Sequence, residues 1–140
     1  MIEPHSSTCP PALKLDISGD RTIRNPQAPD VASALREAAR RDDGYVILSR
    51  AEAEYMQTAA GIVEYRERGR HFRSIEDPVN WDVIEALFLA YLRGDPAWRG
   101  LAKWRDVTDE LAQLRRGSSA WIFLVVLALL GVALAFWFLK

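Results

Sequence analysis

The stretch RERGRHFR, residues 66–73, holds the densest group of side chains that could do chemistry in this chain. It contains five basic residues, which are Arg66, Arg68, Arg70, His71 and Arg73. A guanidinium group binds a carboxylate or a phosphate through two parallel hydrogen bonds. The segment therefore predicts a binding site for an acidic protein or for lipid headgroups.

Two other interpretations of this segment stay open at the level of sequence. Tyr65 and Phe72 interleave with the arginines, which is a pattern typical of single-stranded nucleic-acid binding. Glu64 and Glu67 instead favour a solvated hairpin in which cross-strand ion pairs occupy several arginines. Because the formal net charge is −1, composition gives nucleic acid no support, and we predict a protein partner.

Side chains suited to catalysis or metal binding are few. The chain has two histidines, His5 and His71, and one cysteine, Cys9. A zinc site needs clustered ligands at regular spacing, and a nucleophile needs an adjacent base, and neither pattern is present. The sequence also lacks a glycine-rich phosphate loop. We therefore predict a non-enzymatic protein with no catalytic residue, metal, cofactor or small-molecule substrate.

The chain ends in an apolar run, WIFLVVLALLGVALAFWFLK, whose only charge is the final lysine. About 20 apolar residues in a helix match the roughly 30 Å hydrocarbon core of a bilayer. Trp121 and Trp137 stand where aromatic rings favour the membrane boundary, and Arg115 and Arg116 precede the run. The pattern predicts a single transmembrane helix at 120–140, with the N-terminal domain in the cytoplasm.

Small residues recur within this predicted span. Gly131 and Ala135 form a small-xxx-small pair, and Ala128 lies about one turn earlier. Such spacing lets a second helix approach closely, which favours helix packing at these residues, but Leu and Ala dominate most single spans and we favour a plain anchor. The expected partners are therefore the lipid bilayer, through residues 120–140, and a membrane-associated protein.

We predict four segments along the chain. Residues 1–29 contain five prolines and lack apolar periodicity, which indicates an extended or disordered leader, although LKLDI alternates like a short edge strand. Residues 30–105 are expected to form an α+β cytoplasmic domain. A polar helix and hinge at 106–119 then lead to the transmembrane helix at 120–140.

The predicted fold class is α+β, with an N-terminal helix, a four-stranded antiparallel meander, a packed helix and a single C-terminal transmembrane helix. Asp30 and Asn80 are the expected N-caps of the two soluble helices. Phe88 belongs to the apolar stripe of the second helix, and Trp98 and Trp104 are expected to close the core or to rest on the bilayer. Four runs between the helices are rich in β-branched and aromatic residues, and they are YVILSR, EYMQTA, IVEYRE and RHFRSIE.

The strand sequences YVILS, YMQTA, VEYRE and RHFR, followed by ALFLAYLRGD and two tryptophans, resemble a group of small bacterial α+β proteins. These are sometimes grouped with immunity proteins that neutralise contact-delivered toxins, and the similarity covers residues 44–104. The resemblance implies a cytoplasmic, protein-binding domain without catalytic activity. We therefore predict a tail-anchored protein-binding module of the bacterial inner membrane, immunity-like or regulatory. The alternative is a small accessory or structural subunit of a larger membrane protein complex.

Overall fold

The computed structural model describes residues 12–113, which belong to two compact units, 1–106 and 107–140. In the first unit the helices are α1 (Ala28–Ala38), α2 (Trp81–Arg93) and a 3₁₀ helix (Pro96–Gly100). The strands are β1 (Lys14–Ile17), β2 (Arg21–Arg24), β3 (Tyr45–Ala51), β4 (Glu54–Ala59), β5 (Ile62–Glu67), β6 (Arg70–Ser74) and β7 (Trp104–Asp106). In the second unit, residues 108–113 are helical, and residues 114–119 of the predicted polar helix and hinge lie outside the described part of the chain.

The seven strands form one antiparallel sheet in the order β2-β1-β3-β4-β5-β6-β7. Two-residue turns join β4 to β5 at Ala60-Gly61 and β5 to β6 at Arg68-Gly69, and all four residues have positive φ. Turns of this kind match the right-handed twist of the flanking strands, which explains why such short breaks produce tight hairpins.

One face of the sheet carries the hydrophobic core. Leu15, Val46 and Val63, from three different strands, are each 0% exposed. They pack with α1 and α2 in a single cluster, to which the helices contribute Val31, Ala34, Leu35, Ala38, Ile84, Leu87, Phe88, Ala90 and Tyr91. Both helices therefore cover the same face, and within residues 12–106 no helix covers the other.

Aromatic side chains close this core beside β5 and β6, as predicted for Trp98, which is buried. Tyr65 stacks on Phe72 with ring centroids 4.6 Å apart, and it meets the edges of Trp98 and Trp104. Trp104 is partly buried, and its indole N–H donates to the backbone carbonyl of Arg99 at 3.0 Å. Offset and edge-on ring pairs of this kind add stability beyond the area they bury.

The ends of the helices follow local sequence signals. The Asn80 side chain accepts from the amide of Asp82 at 2.8 Å, which confirms it as an N-cap. The prediction of Asp30 as the other N-cap is wrong, because α1 begins earlier, after Gln27. Asp30 is instead the third residue of the helix, and its carboxylate accepts from the Gln27 amide at 2.8 Å.

The predicted number of four strands is wrong, although the four runs named in the sequence are present as β3 to β6. β1 and β2 form a hairpin at residues 14–24, ahead of the first helix, and β7 lies at residues 104–106. β1 coincides with LKLDI, whose alternation indicated a short edge strand, but it lies between β2 and β3 and not at the edge. β2 and β7 have only four and three residues, too few for an alternation that sequence can distinguish from a loop. Their conformation depends on pairing with distant strands, which local sequence does not encode.

The prediction of a transmembrane helix, and with it the single-pass membrane location, is also contradicted. Among residues 12–113, no helix has the length and apolar character needed to cross a bilayer. Residues 120–140, on which that prediction was based, lie outside the described residues. The same is true of the five residues predicted to mark or pack the span, which are Trp121, Ala128, Gly131, Ala135 and Trp137.

Candidate binding face of the sheet

The sheet face opposite the helices, here called the open face, is the first candidate site. Side chains alternate between the two faces of a sheet along each strand. The neighbours of core-facing residues in a strand therefore lie on the open face. One row crosses all seven strands and consists of Thr22, Asp16, Ile47, Gln57, Glu64, Arg73 and Arg105. The row beside it consists of Arg24, Lys14, Ser49, Tyr55, Arg66 and His71.

Charge on the open face is concentrated at its two ends. These two rows hold five Lys or Arg side chains and two carboxylates, so the face is net positive. The middle, on β3 and β4, is neutral and consists of Ile47, Ser49, Tyr55 and Gln57. The face opposite the core therefore has a neutral, partly apolar centre, whose residues are half-buried, and charged ends.

Glu64 organises the polar side chains at one end of the open face. Its carboxylate accepts from Arg73 Nε at 2.6 Å and from Gln57 Nε2 at 2.6 Å, and His71 Nε2 lies 3.1 Å away. Burial by itself raises the pKa of Glu64, but hydrogen bonds from Arg73, Gln57 and His71 outweigh it and lower the pKa below its ordinary value. Glu64 is therefore an ionised group that fixes the positions of three neighbours.

Two pairs of like charges face each other directly across the outer strands of the open face. Lys14 is opposite Arg24 on β1 and β2, and Arg73 is opposite Arg105 on β6 and β7. Arg73 has the Glu64 carboxylate beside it, whereas neither Lys14 nor Arg24 has an ion pair among the described residues. Like charges at directly opposite positions destabilise a sheet.

The five residues predicted to bind a partner are not all brought together. Arg66, His71 and Arg73 lie on the open face. Arg68 is exposed in the β5–β6 turn, and Arg70 points the other way along β6, where its Nε donates to Asp106 at 2.9 Å. The strand period of two separates neighbours to opposite faces, so a cluster in sequence becomes a cluster in space only in part.

Several members of the open face were not singled out from sequence. They are Lys14, Arg24, Ile47, Tyr55, Gln57 and Arg105. Alternation within β3 and β4 is a local signal that could have found Ile47, Tyr55 and Gln57. Lys14 lies in LKLDI, whose alternation was a local signal for a strand, whereas Arg24 and Arg105 belong to β2 and β7, for which the sequence predicted no strand.

A cavity of about 220 Å³ on the other side of the sheet is the second candidate site. It lies where the β3–β4 hairpin meets the end of α2 and the 3₁₀ helix, and we name it the Arg50 cavity. Two of its arginines lie over aromatic rings, since Arg50 Cζ is 4.8 Å from the ring centroid of Tyr91 and Arg99 Cζ is 4.4 Å from that of Trp98.

Hydrogen bonds hold both of these arginines. Arg50 donates to the backbone carbonyl of Tyr91, and Arg99 Nη2 lies 2.7 Å from each carboxylate oxygen of Glu67. Burial raises the pKa of Tyr91 from 10.0 to about 12, although Arg50 opposes this rise. The phenol that lines the cavity is therefore neutral at physiological pH.

Neither site has the composition of a metal centre, because the described residues contain no group of three His, Cys, Asp or Glu side chains arranged to hold an ion. Comparison of the chain with protein-family models, with curated proteins and with solved structures found no match. The resemblance to immunity-like proteins therefore stays a prediction, and function has to be argued from the sites themselves.

Proposed function

We propose that this protein is a non-enzymatic binding module whose open face docks an acidic surface of another protein. The observation that carries this proposal is the pair Lys14 and Arg24, two like charges directly opposite each other with no ion-pair partner in the described chain. Such a pair costs stability in the isolated sheet. A partner that supplies carboxylates at this position turns the cost into a favourable contact.

The layout of the open face supports a protein as the occupant. Protein interfaces combine a core depleted of charge with a polar rim, and aromatic side chains dominate their energetics. Tyr55 and Ile47 lie in the neutral centre, between the positive ends of the face. The resemblance to immunity proteins supports the same function, because such proteins act by binding another protein.

Glu64 argues against nucleic acid as the occupant. Its carboxylate lies between Gln57 and Arg73 within the face, and its lowered pKa keeps it ionised at neutral pH. A phosphate backbone laid across this row would meet that negative charge. An acidic protein surface is not a continuous line of phosphates, so it can place its carboxylates at Lys14, Arg24 and Arg66 and avoid Glu64.

A photo-crosslinking amino acid at Ile47 of the full-length protein tests where the partner docks. We expect crosslinks to a protein with an acidic surface. The matched control position is Ala86, which is exposed on α2, on the other side of the sheet. Crosslinks that form from Ala86 but not from Ile47 contradict the proposal.

Charge reversal then tests the end of the open face that carries Lys14 and Arg24, in binding experiments with the purified partner. Lys14→Glu is expected to weaken its affinity by roughly tenfold. Arg36→Glu, an exposed change on α1, is expected to leave it unchanged. The proposal is wrong if Lys14→Glu has no effect, or if position 47 crosslinks only nucleic acid or a second copy of this chain.

A further inference from the structure

We propose that the Arg50 cavity binds a small carboxylate. Most of its walls come from core-facing residues of the sheet and from the elements packed on that side, and Arg66 of the open face also lines it. Tyr65, Tyr91 and Trp98 contribute aromatic surface, and Arg50 and Arg99 contribute guanidinium groups. Arg50 and Glu54, whose variants test the proposal, do not belong to the two rows of the open face, so the test does not depend on a protein docking there.

The two arginines are held in position before any ligand arrives. Each guanidinium lies over an aromatic ring and makes a hydrogen bond to a fixed acceptor. A guanidinium has five N–H donors, so Arg50 keeps donors free after bonding to the Tyr91 carbonyl. Because its orientation is already fixed, less side-chain entropy is lost when a carboxylate binds.

The charges that line the cavity suit a single negative charge. Arg99 is neutralised by Glu67, with which it makes the ion pair described above. Arg50, Arg66 and Glu54 remain, and none of them has an ion pair with another described residue. Two positive charges against one negative charge leave a surplus of one, which matches a monocarboxylate better than a phosphate dianion.

The size and walls of the cavity define the rest of the ligand. A volume of about 220 Å³ corresponds to roughly seven water molecules and is smaller than the sites that hold drug-sized ligands. The aromatic side chains favour an apolar or ring-shaped tail. The chemical class is therefore a small organic acid with one carboxylate and a compact apolar group.

Titration of the full-length protein with benzoate, followed by amide chemical shifts in NMR, tests this inference. We expect saturable shifts of the amides of Arg50 and Gly94 with a millimolar or tighter dissociation constant. Benzamide has the same ring without the charge and is expected to bind at least roughly tenfold more weakly. Inorganic phosphate is expected to produce no saturable shift at these amides.

Two variants test the charges with opposite expected results. Arg50→Gln should weaken benzoate binding roughly tenfold, because it removes the oriented donors. Glu54→Gln should strengthen benzoate binding, because the change removes a negative charge that repels the ligand. This result does not depend on whether Arg50→Gln folds normally. Equal binding of benzoate and benzamide, equal binding of phosphate, or weaker binding by Glu54→Gln overturns the proposal.

Discussion

Glu64 is a largely buried carboxylate whose desolvation is offset by hydrogen bonds from its neighbours. It is 9% exposed, yet three side chains donate to it or lie within hydrogen-bonding distance, and together they outweigh the cost of desolvation. A charged acceptor with several donors is a stronger partner than a neutral one. The network fixes Arg73 and His71, which are two of the residues that the sequence predicts for partner binding.

Replacing Glu64 by Gln tests this network. The free energy of unfolding should fall by about 1–2 kcal/mol at pH 7, because Arg73 loses its charged acceptor. The pKa of Glu64 is lower in the folded chain than its ordinary value of 4.5, so its stabilising effect is present above pH 4.5 and is lost as the pH falls through the folded pKa. Denaturant unfolding at several pH values should therefore show the difference from wild type shrinking below pH 4.5.

Glu52→Gln is the matched control for this prediction, because Glu52 is exposed in the β3–β4 turn. We expect a change of at most about 0.5 kcal/mol at any pH. A Glu64→Gln variant that unfolds like wild type at pH 7 would falsify the stabilising role of the network.

Tyr91 gives a second prediction at the residue scale, because burial raises its pKa to about 12. Above pH 10 the unfolded chain ionises at this phenol while the folded chain does not, so stability should fall as the pH rises from 10 toward 12. Burial also raises the pKa of Tyr65, so the ultraviolet absorbance of phenolate should show late ionisation in wild type and less of it in Tyr91→Phe. Ionisation of all four tyrosines near pH 10, with the fold intact, would contradict the buried position of Tyr91.

At the scale of elements, the two tight turns of the meander make a matched pair. Gly61 and Gly69 have φ of +80° and +78°, but a Cβ at Gly61 would lie 2.6 Å from Pro78 Cβ, whereas a Cβ at Gly69 would meet nothing within 4 Å. Gly69→Ala should cost about 1–2 kcal/mol from backbone strain alone. Gly61→Ala should cost a further ~1–3 kcal/mol from the steric clash, as measured by denaturant unfolding. Equal costs would mean that the segment around Pro78 moves away freely.

The orientation of α2 is tested by its most buried aromatic residue. Phe88 is 0% exposed and packs in the core cluster, so Phe88→Ala should cost about 3–5 kcal/mol. Ile75 is 60% exposed, and Ile75→Ala should change stability by at most about 0.5 kcal/mol. Thermal and denaturant unfolding measure both values, and a near-neutral Phe88→Ala would mean that another face of α2 meets the sheet.

At the scale of the whole molecule, the first unit is a sheet with its helices on one face only. The core and the Arg50 cavity are on one side, and the open face is on the other. An antiparallel sheet can leave one face in water, because alternation makes that face polar. The hydrophobic core and the surface proposed to bind a partner therefore lie on opposite faces of the sheet.

The variant Lys14→Glu separates the stability of the fold from its affinity for the proposed partner. It replaces a like-charge pair with an opposite-charge pair facing Arg24, so the free energy of unfolding should rise by about 0.2–1 kcal/mol. The same change is expected to weaken binding of the proposed partner. Stability should therefore rise while the affinity for the partner falls. Loss of both together would mean that Lys14 supports the fold and not the interface.

Local patterns in the sequence were sufficient for the elements that carry their own signal. The strands β3 to β6 have alternating or β-branched residues between tight turns, and α2 has an Asn80 cap and a full apolar stripe. Phe88 was predicted in the core from that stripe, and Trp98 from the cost of exposing a tryptophan, and both are buried. Arg66, His71 and Arg73, three of the five residues predicted to bind a partner, lie on one face of the β5–β6 hairpin, and their role in binding stays a prediction.

Only the tertiary structure decided the rest, because it depends on contacts between distant parts of the chain. β1 pairs with β3 across more than 25 residues, and β7 joins β6 across the whole of α2, so short strands become parts of the sheet through long-range pairing. Those pairings place Lys14 opposite Arg24 and Arg73 opposite Arg105, and the packing of α2 on the sheet brings Arg50 over Tyr91. The sequence by itself determined which residues prefer strand or helix, whereas long-range pairing determined which side chains share a face.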